Sequence, residues 1–130
     1  MTHRQFALFL CGLVAPSLYQ RIKFALHRRS FYTTRLRDKS GLNLHHGHWG
    51  LLFVFVSTWM LAFGLHSIVS IGLAGFGWGL MLDEIVPLLK MPSPSRDIEL
   101  DVYARSRNAT FVFISIVIIL SIVIFANFCR

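Results

Sequence analysis

The chain has 130 residues, of which 55% are hydrophobic and 15% are charged, and it carries a formal net charge of +7. Soluble domains carry about 25% charged residues, so this composition excludes an ordinary water-facing surface. The length limits the chain to one domain, which we predict to be a single all-α membrane domain over residues 1–130.

The first apolar segment is residues 6–20, and it predicts only a weak membrane span. Fifteen residues rise about 22 Å as a helix, which is short of the roughly 30 Å hydrocarbon core. A signal peptide is the alternative interpretation. We favour a retained, short or tilted helix, because one arginine precedes the segment and no clear cleavage site follows it.

Three further apolar segments follow, at residues 49–65, 67–90 and 109–128. The first two are separated by so few residues that they predict two helices in a tight hairpin, since backbone in lipid must satisfy its own hydrogen bonds. The last has no charged residue over its whole length, enough to cross a bilayer. The predicted fold is therefore a polytopic all-α membrane protein with about four transmembrane helices.

The basic residues predict the orientation of these spans. Seven of the 13 lysines and arginines fall between the first and second spans, and four more fall between the third and fourth. By the positive-inside rule, the connecting segments 21–48 and 91–108 are cytoplasmic loops. We thus expect a multi-pass protein of the plasma (inner) membrane, with both termini on the non-cytoplasmic side.

The positive charge also predicts a partner. Basic side chains next to a membrane attract anionic lipid head groups by about 1 kcal/mol per charge. Residues 20–40 interleave apolar and basic side chains, which is typical of a helix lying at the interface. We expect contacts with anionic head groups, and no nucleic-acid partner, from the arginines of this loop, Arg28, Arg29, Arg35 and Arg37.

Three histidines, His45, His46 and His48, lie directly before the second span, in the stretch GLNLHHGHWG. His45 and His48 have the spacing of residues that share one face of a helix. His46 points elsewhere unless the segment is irregular, which the glycine at position 47 makes plausible.

Two acidic residues, Asp83 and Glu84, lie inside the third span. In a hairpin with its turn near His66, Asp83 comes level with Gly50 and Glu84 with Trp49, close to the three histidines. A carboxylate inside a span costs about 3 kcal/mol on insertion scales and usually faces a partner in the protein interior. The sequence therefore predicts a His/carboxylate cluster at one depth, near the cytoplasmic face.

Histidine nitrogens and carboxylate oxygens are ligands for zinc, iron and manganese. We expect a candidate divalent-metal site made of His45, His46, His48 and Asp83, with Glu84 as a partner of the ligands or as a catalytic general base. The alternative is purely structural polar packing, in which Asp83 pairs with an arginine and holds the helices together.

Small residues recur in the third span at Gly72, Gly75 and Gly79. Glycines at intervals of three and four let helix backbones approach closely. The pattern predicts helix packing, either within one chain or between copies in a homo-oligomer.

Three short motifs carry a resemblance to a known group of proteins. HH at residues 45–46 with Gly50, LDE at residues 82–84 and DVY at residues 101–103 resemble the pattern of small uncharacterised bacterial and archaeal membrane proteins. The resemblance covers about residues 43–125. It implies three or four spans and a pairing of the histidines with the two acids, but no reaction. The chain departs from the pattern in having Asn43 where histidine is frequent, and in the extra His48.

Two functions follow as hypotheses. The first is a small membrane metalloprotein with its site near the cytoplasmic face and its reaction unassigned. The second is a non-catalytic accessory subunit or helical scaffold of a larger membrane complex, because four spans with short external ends leave little room for a substrate pocket.

Overall fold

The computed structural model of the chain is all-helical over the residues it describes. It describes residues 1–26, 46–90 and 96–128, with side chains in the last range from residue 101 onward. The helices, in chain order, are α1 His3–Leu26, α2 His46–Ala62, α3 Ile68–Leu89, α4 Arg96–Arg105 and α5 Arg107–Phe128. The predicted all-α class is therefore confirmed for this part of the chain.

Helix α1 is longer than the predicted segment 6–20. It contains 24 residues, which rise about 36 Å as a helix. Residues 17–26 contain neither glycine nor proline, so nothing in the sequence stops the helix before its last turn. The basic residues Arg21 and Lys23 belong to this helix and not to the predicted loop 21–48.

Helices α2 and α3 form the hairpin that the sequence predicts. Gly64 adopts a positive φ of 77° in the turn between them, a conformation that favours glycine. Ser67 caps α3, because its side chain accepts a hydrogen bond from the backbone N–H of Ser70 at 3.1 Å. The chain therefore reverses direction within five residues.

Helix α3 is the centre of the bundle, and glycines let two helices approach it closely. A Cβ added at Gly79 would lie 2.5 Å from the Leu13 carbonyl oxygen of α1, and one at Gly77 would lie 2.8 Å from the Gly50 carbonyl oxygen of α2. The glycines of α3 therefore pack within the chain. Helix α1 runs parallel to α3, whereas α2 and α5 run antiparallel to it.

Helix α5 packs against α3 and α1 through a small core of Leu13, Leu82 and Ile114. Its other faces carry large apolar side chains that stay exposed, and α2 shows the same arrangement, with Phe55 59% and Trp59 51% exposed. Both α3 and α5 are long and apolar enough to cross a bilayer. That finding is compatible with the predicted membrane location.

Candidate functional site: a buried polar cluster

Side chains from four helices meet near the C-terminal ends of α1 and α3. We call this group the polar cluster, and its members are Arg21 of α1, His46 of α2, Asp83 and Glu84 of α3, and Tyr103 of α4. Asp83 is fully buried, with 0% of its surface exposed, and Glu84 and Arg21 are also buried. The most polar part of the bundle interior is thus concentrated at one level.

Asp83 occupies the centre of the polar cluster. Its Oδ1 accepts a hydrogen bond from Nε of Arg21 at 2.9 Å. Its Oδ2 accepts one from the hydroxyl of Tyr103 at 2.6 Å and lies 3.2 Å from Nε2 of His46. A buried carboxylate needs both an opposite charge and hydrogen-bond donors, and Asp83 has them from three other helices.

Arg21 connects the cluster to the remaining helices. Its Nη1 donates to the backbone carbonyl of Tyr103 at 2.7 Å, and its Nη2 donates to Oγ1 of Thr110 in α5 at 3.1 Å. The guanidinium carbon lies 3.8 Å from the centroid of the Tyr103 ring, which is the geometry of a cation–π contact. One arginine of α1 thereby contacts α3, α4 and α5.

His46 contacts both acids. Its Nε2 lies 2.9 Å from Oε2 of Glu84 and 3.2 Å from Oδ2 of Asp83, so one imidazole nitrogen lies between two carboxylates. Gly47 allows this approach, because a Cβ there would lie 3.2 Å from both Cβ and Cγ of Glu84. Adjacent acids diverge by about 100° around a helix. Asp83 accordingly faces Arg21, while Glu84 faces the start of α2.

The structure brings together only some of the residues predicted to form a site. His46, Asp83 and Glu84 are in contact, whereas His48 is exposed and lines a small cavity of about 200 Å³ with Glu84. Several predicted residues lie outside the described part of the chain, namely His45 and the four head-group arginines Arg28, Arg29, Arg35 and Arg37.

The predicted metal site finds no support in the described residues. Among them, no group of three or more histidine, cysteine, aspartate or glutamate side chains is arranged to hold a metal ion. Asp83 instead accepts a hydrogen bond from Arg21 at Oδ1 and one from Tyr103 at Oδ2. The guanidinium of Arg21 and the hydroxyl of Tyr103 are therefore its hydrogen-bond donors.

Sequence reasoning missed three members of the hydrogen-bond network. The charge pattern places Arg21 in the basic loop, Tyr103 enters the prediction only through the DVY motif, and Thr110 belongs to no predicted site. Tyr103 and Thr110 are each 1% exposed, which is unusual for hydroxyl-bearing side chains. The only sequence signal for Tyr103 was that the DVY motif follows the LDE motif in the group of proteins that the chain resembles.

Comparisons of the chain with protein-family models, with curated proteins and with solved structures found no match.

The Tyr103 hydroxyl is predicted to stabilise the fold. Tyr103→Phe removes the hydroxyl that donates to Asp83 but keeps the ring beside Arg21. We expect the free energy of unfolding to fall by about 1–3 kcal/mol. Thermal unfolding in mild detergent, followed by circular dichroism, measures the change. Tyr19→Phe is the matched control, because Tyr19 is 62% exposed. Equal midpoints for the two variants would contradict the role of this hydrogen bond.

Proposed function

We propose that the chain is a multi-pass membrane scaffold or accessory subunit, in which the polar cluster holds four spanning helices together at the cytoplasmic face. The single observation that carries the proposal is that Asp83 makes contacts to α1, α2 and α4 at once. All of these contacts satisfy protein groups. These contacts support a role of the polar cluster in holding the helices together.

Among the proposed spans α1, α2, α3 and α5, helix dimensions support α3 and α5 most directly. Helices α3 and α5 meet the length and composition of spanning segments. Helix α1 has 24 residues, and α2 has 17 residues that rise about 26 Å. Two of the charges in these helices, Arg21 and Asp83, neutralise each other in the interior. Intramembrane charges are expected to be paired in this way.

Cysteine labelling of intact cells tests the four-span arrangement. In a background lacking Cys11 and Cys129, single cysteines are introduced at exposed ends of the helices, by Arg4→Cys, Leu65→Cys, Ala25→Cys and Arg105→Cys. We expect an impermeant maleimide to label the first two in intact cells and the last two only after permeabilisation. This pattern follows from the positive-inside rule, which places positions 25 and 105 in the cytoplasm and positions 4 and 65 on the other side.

The labelling pattern distinguishes four spans from two. If only α3 and α5 cross the membrane, position 25 falls on the same side as positions 4 and 65, and all three react alike. Such a result would overturn the four-span proposal. Labelling of all four positions in intact cells would contradict membrane insertion altogether.

A scaffold role is tested by the composition of the purified protein. After solubilisation in mild detergent, we expect the 14.9 kDa chain to elute in a larger assembly with a fixed stoichiometry of its components. Asp83→Asn is expected to reduce the yield of that assembly, whereas Asp101→Asn, at a half-exposed position, is not. A wild-type chain that purifies alone, as a folded monomer, would contradict the role of scaffold or accessory subunit.

A second candidate function is a metal site centred on the second and third helices. The described residues alone do not form such a site, so it would need His45 in addition to His46, which lies 2.9 Å from Glu84, and His48, which shares a cavity with Glu84. Elemental analysis of chelator-free protein tests it, with His45→Ala/His48→Ala as the comparison. About one equivalent of zinc, iron or manganese in the wild type, lost in the variant, would favour this function over the scaffold.

A further inference from the structure

A second feature of the bundle lies at the end opposite to the polar cluster. There the helices diverge and leave a cavity of about 550 Å³, which we call the outer cavity. Helices α1, α2, α3 and α5 all contribute to its walls. The rings of Phe6 and Phe125 close one side, stacked with their centroids 4.1 Å apart and their planes 4° from parallel.

The cavity is open because α5 does not follow α3 closely along its whole length. Near the polar cluster the two helices share the core of Leu82 and Ile114. Towards the other end, α5 contacts α1 instead, through Phe125. The space between these two contacts is the outer cavity, and its volume falls within the roughly 300–1,000 Å³ of small-molecule sites.

The lining of the outer cavity is amphipathic. Its walls are apolar over most of their area, with Phe9, Ile71 and Ile124 among the lining residues. Polar groups lie at the turn end, where Nε2 of Gln5 donates to the backbone carbonyl of His66 at 3.2 Å and both residues line the cavity. A ligand with an apolar chain and a hydrogen-bonding head is complementary to this arrangement.

The outer cavity is only partly enclosed, and its lining is mostly apolar, so it is suited to an apolar chain that enters from outside the bundle. In the proposed multi-pass placement, on which this inference rests, the openings of the cavity face lipid. We propose that the outer cavity binds the chain of one lipid molecule, acyl or prenyl, with an oxygen-bearing head at Gln5 and His66. Such a ligand completes the packing between α1, α3 and α5.

Occupancy of the outer cavity is tested by native mass spectrometry of the full chain released from detergent. Ala74 lines the cavity, and Ala74→Phe fills part of it. Ile119→Phe adds an aromatic ring on the outer face of α5, where Ile119 is 60% exposed, and serves as the control. We expect one retained lipid per wild-type and Ile119→Phe chain, and at least a tenfold lower occupancy in Ala74→Phe.

Two added probes separate the possible sources of the lipid chain. Oleic acid represents an acyl chain and decylubiquinone represents a quinone with an apolar tail. Saturable binding of one probe at one equivalent per chain, weakened about tenfold by His66→Leu, supports the site and identifies the head group. Ser121→Phe, from the α5 wall, replaces Ala74→Phe if that variant does not fold.

Two outcomes overturn the inference. One is a wild-type chain that retains no lipid and binds neither probe, and the other is equal retention by the cavity variant and the Ile119→Phe control. The cysteine labelling described above keeps this failure distinct from failure of the proposed function. Correct labelling of four spans together with an empty cavity rejects only the lipid site.

Discussion

Replacing Asp83 with asparagine is expected to reduce the free energy of unfolding by about 3–5 kcal/mol, which is the cost of breaking a buried ion pair by removing one partner. Asparagine has nearly the same shape and still accepts a hydrogen bond from Tyr103. In the wild type, Nε of Arg21 lies 2.9 Å from Oδ1 of Asp83. The substitution leaves this buried guanidinium without its opposite charge. Reversible unfolding in mixed detergent micelles, followed by circular dichroism, measures the loss.

Asp101→Asn is the control for this experiment. Asp101 and Arg105 form an ion pair at 2.8 Å whose side chains are 46% and 80% exposed. Exposed pairs contribute at most about 1 kcal/mol, so this variant should unfold close to the wild type. Similar losses for Asp83→Asn and Asp101→Asn would show that the polar cluster does not hold the bundle together.

A double variant separates the charge from the packing. Arg21→Met/Asp83→Leu removes both charges, and replacing a buried ion pair by apolar residues of similar volume is often neutral or stabilising. We expect the double variant to be more stable than Asp83→Asn alone. If the double variant is less stable than Asp83→Asn, the hydrogen bonds of Arg21 to Tyr103 and Thr110 stabilise the fold by more than is gained when the buried unpaired charge is removed.

The second large effect is expected at the contact between α1 and α3. A Cβ at Gly75 would overlap the carbonyl oxygen of Phe9 and lie 3.0 Å from its Cα. These are backbone atoms of a helix, so Gly75→Ala forces α1 away from α3. We expect a loss of about 1–3 kcal/mol, the usual cost of overpacking, measured by the same unfolding experiment.

Gly72→Ala provides a matched control on the same helix. Its nearest neighbour would be Cδ2 of Leu8 at 3.4 Å, an ordinary contact with the end of a flexible side chain. Alanine is also the better helix former by about 1 kcal/mol. Gly72→Ala should therefore be neutral or stabilising, and a loss as large as that of Gly75→Ala would contradict the close approach at Gly75.

The hairpin of α2 and α3 could be predicted because its signals are local. A short polar break between two apolar segments gives the turn, and the helical rise gives the depth of each residue. The predicted pairing of Glu84 with Trp49 differs from the structure by two residues, since Gly47 lies against Glu84. The shift arises because the turn is centred slightly before His66, between Ala62 and Ile68.

The partner of Asp83 could be predicted only as an unspecified arginine. Arg21 is separated from Asp83 by 62 positions, and their contact depends on α1 running parallel to α3. Nothing local in the sequence gives the direction in which two distant helices pack. By charge alone Arg21 belongs with the basic loop that follows it, and only the tertiary packing moves it into the interior.

The pairing of Arg21 with Asp83 has a consequence for biogenesis. In the proposed membrane placement, α1 leaves the ribosome with a cation whose partner is 62 residues away in the chain. At about 5–20 residues per second, that partner is synthesised about 3–12 s later. During this interval Arg21 lacks the carboxylate that it pairs with in the folded bundle. We therefore expect α1 to enter the bilayer stably only together with α3, so that assembly begins with the third helix rather than the first.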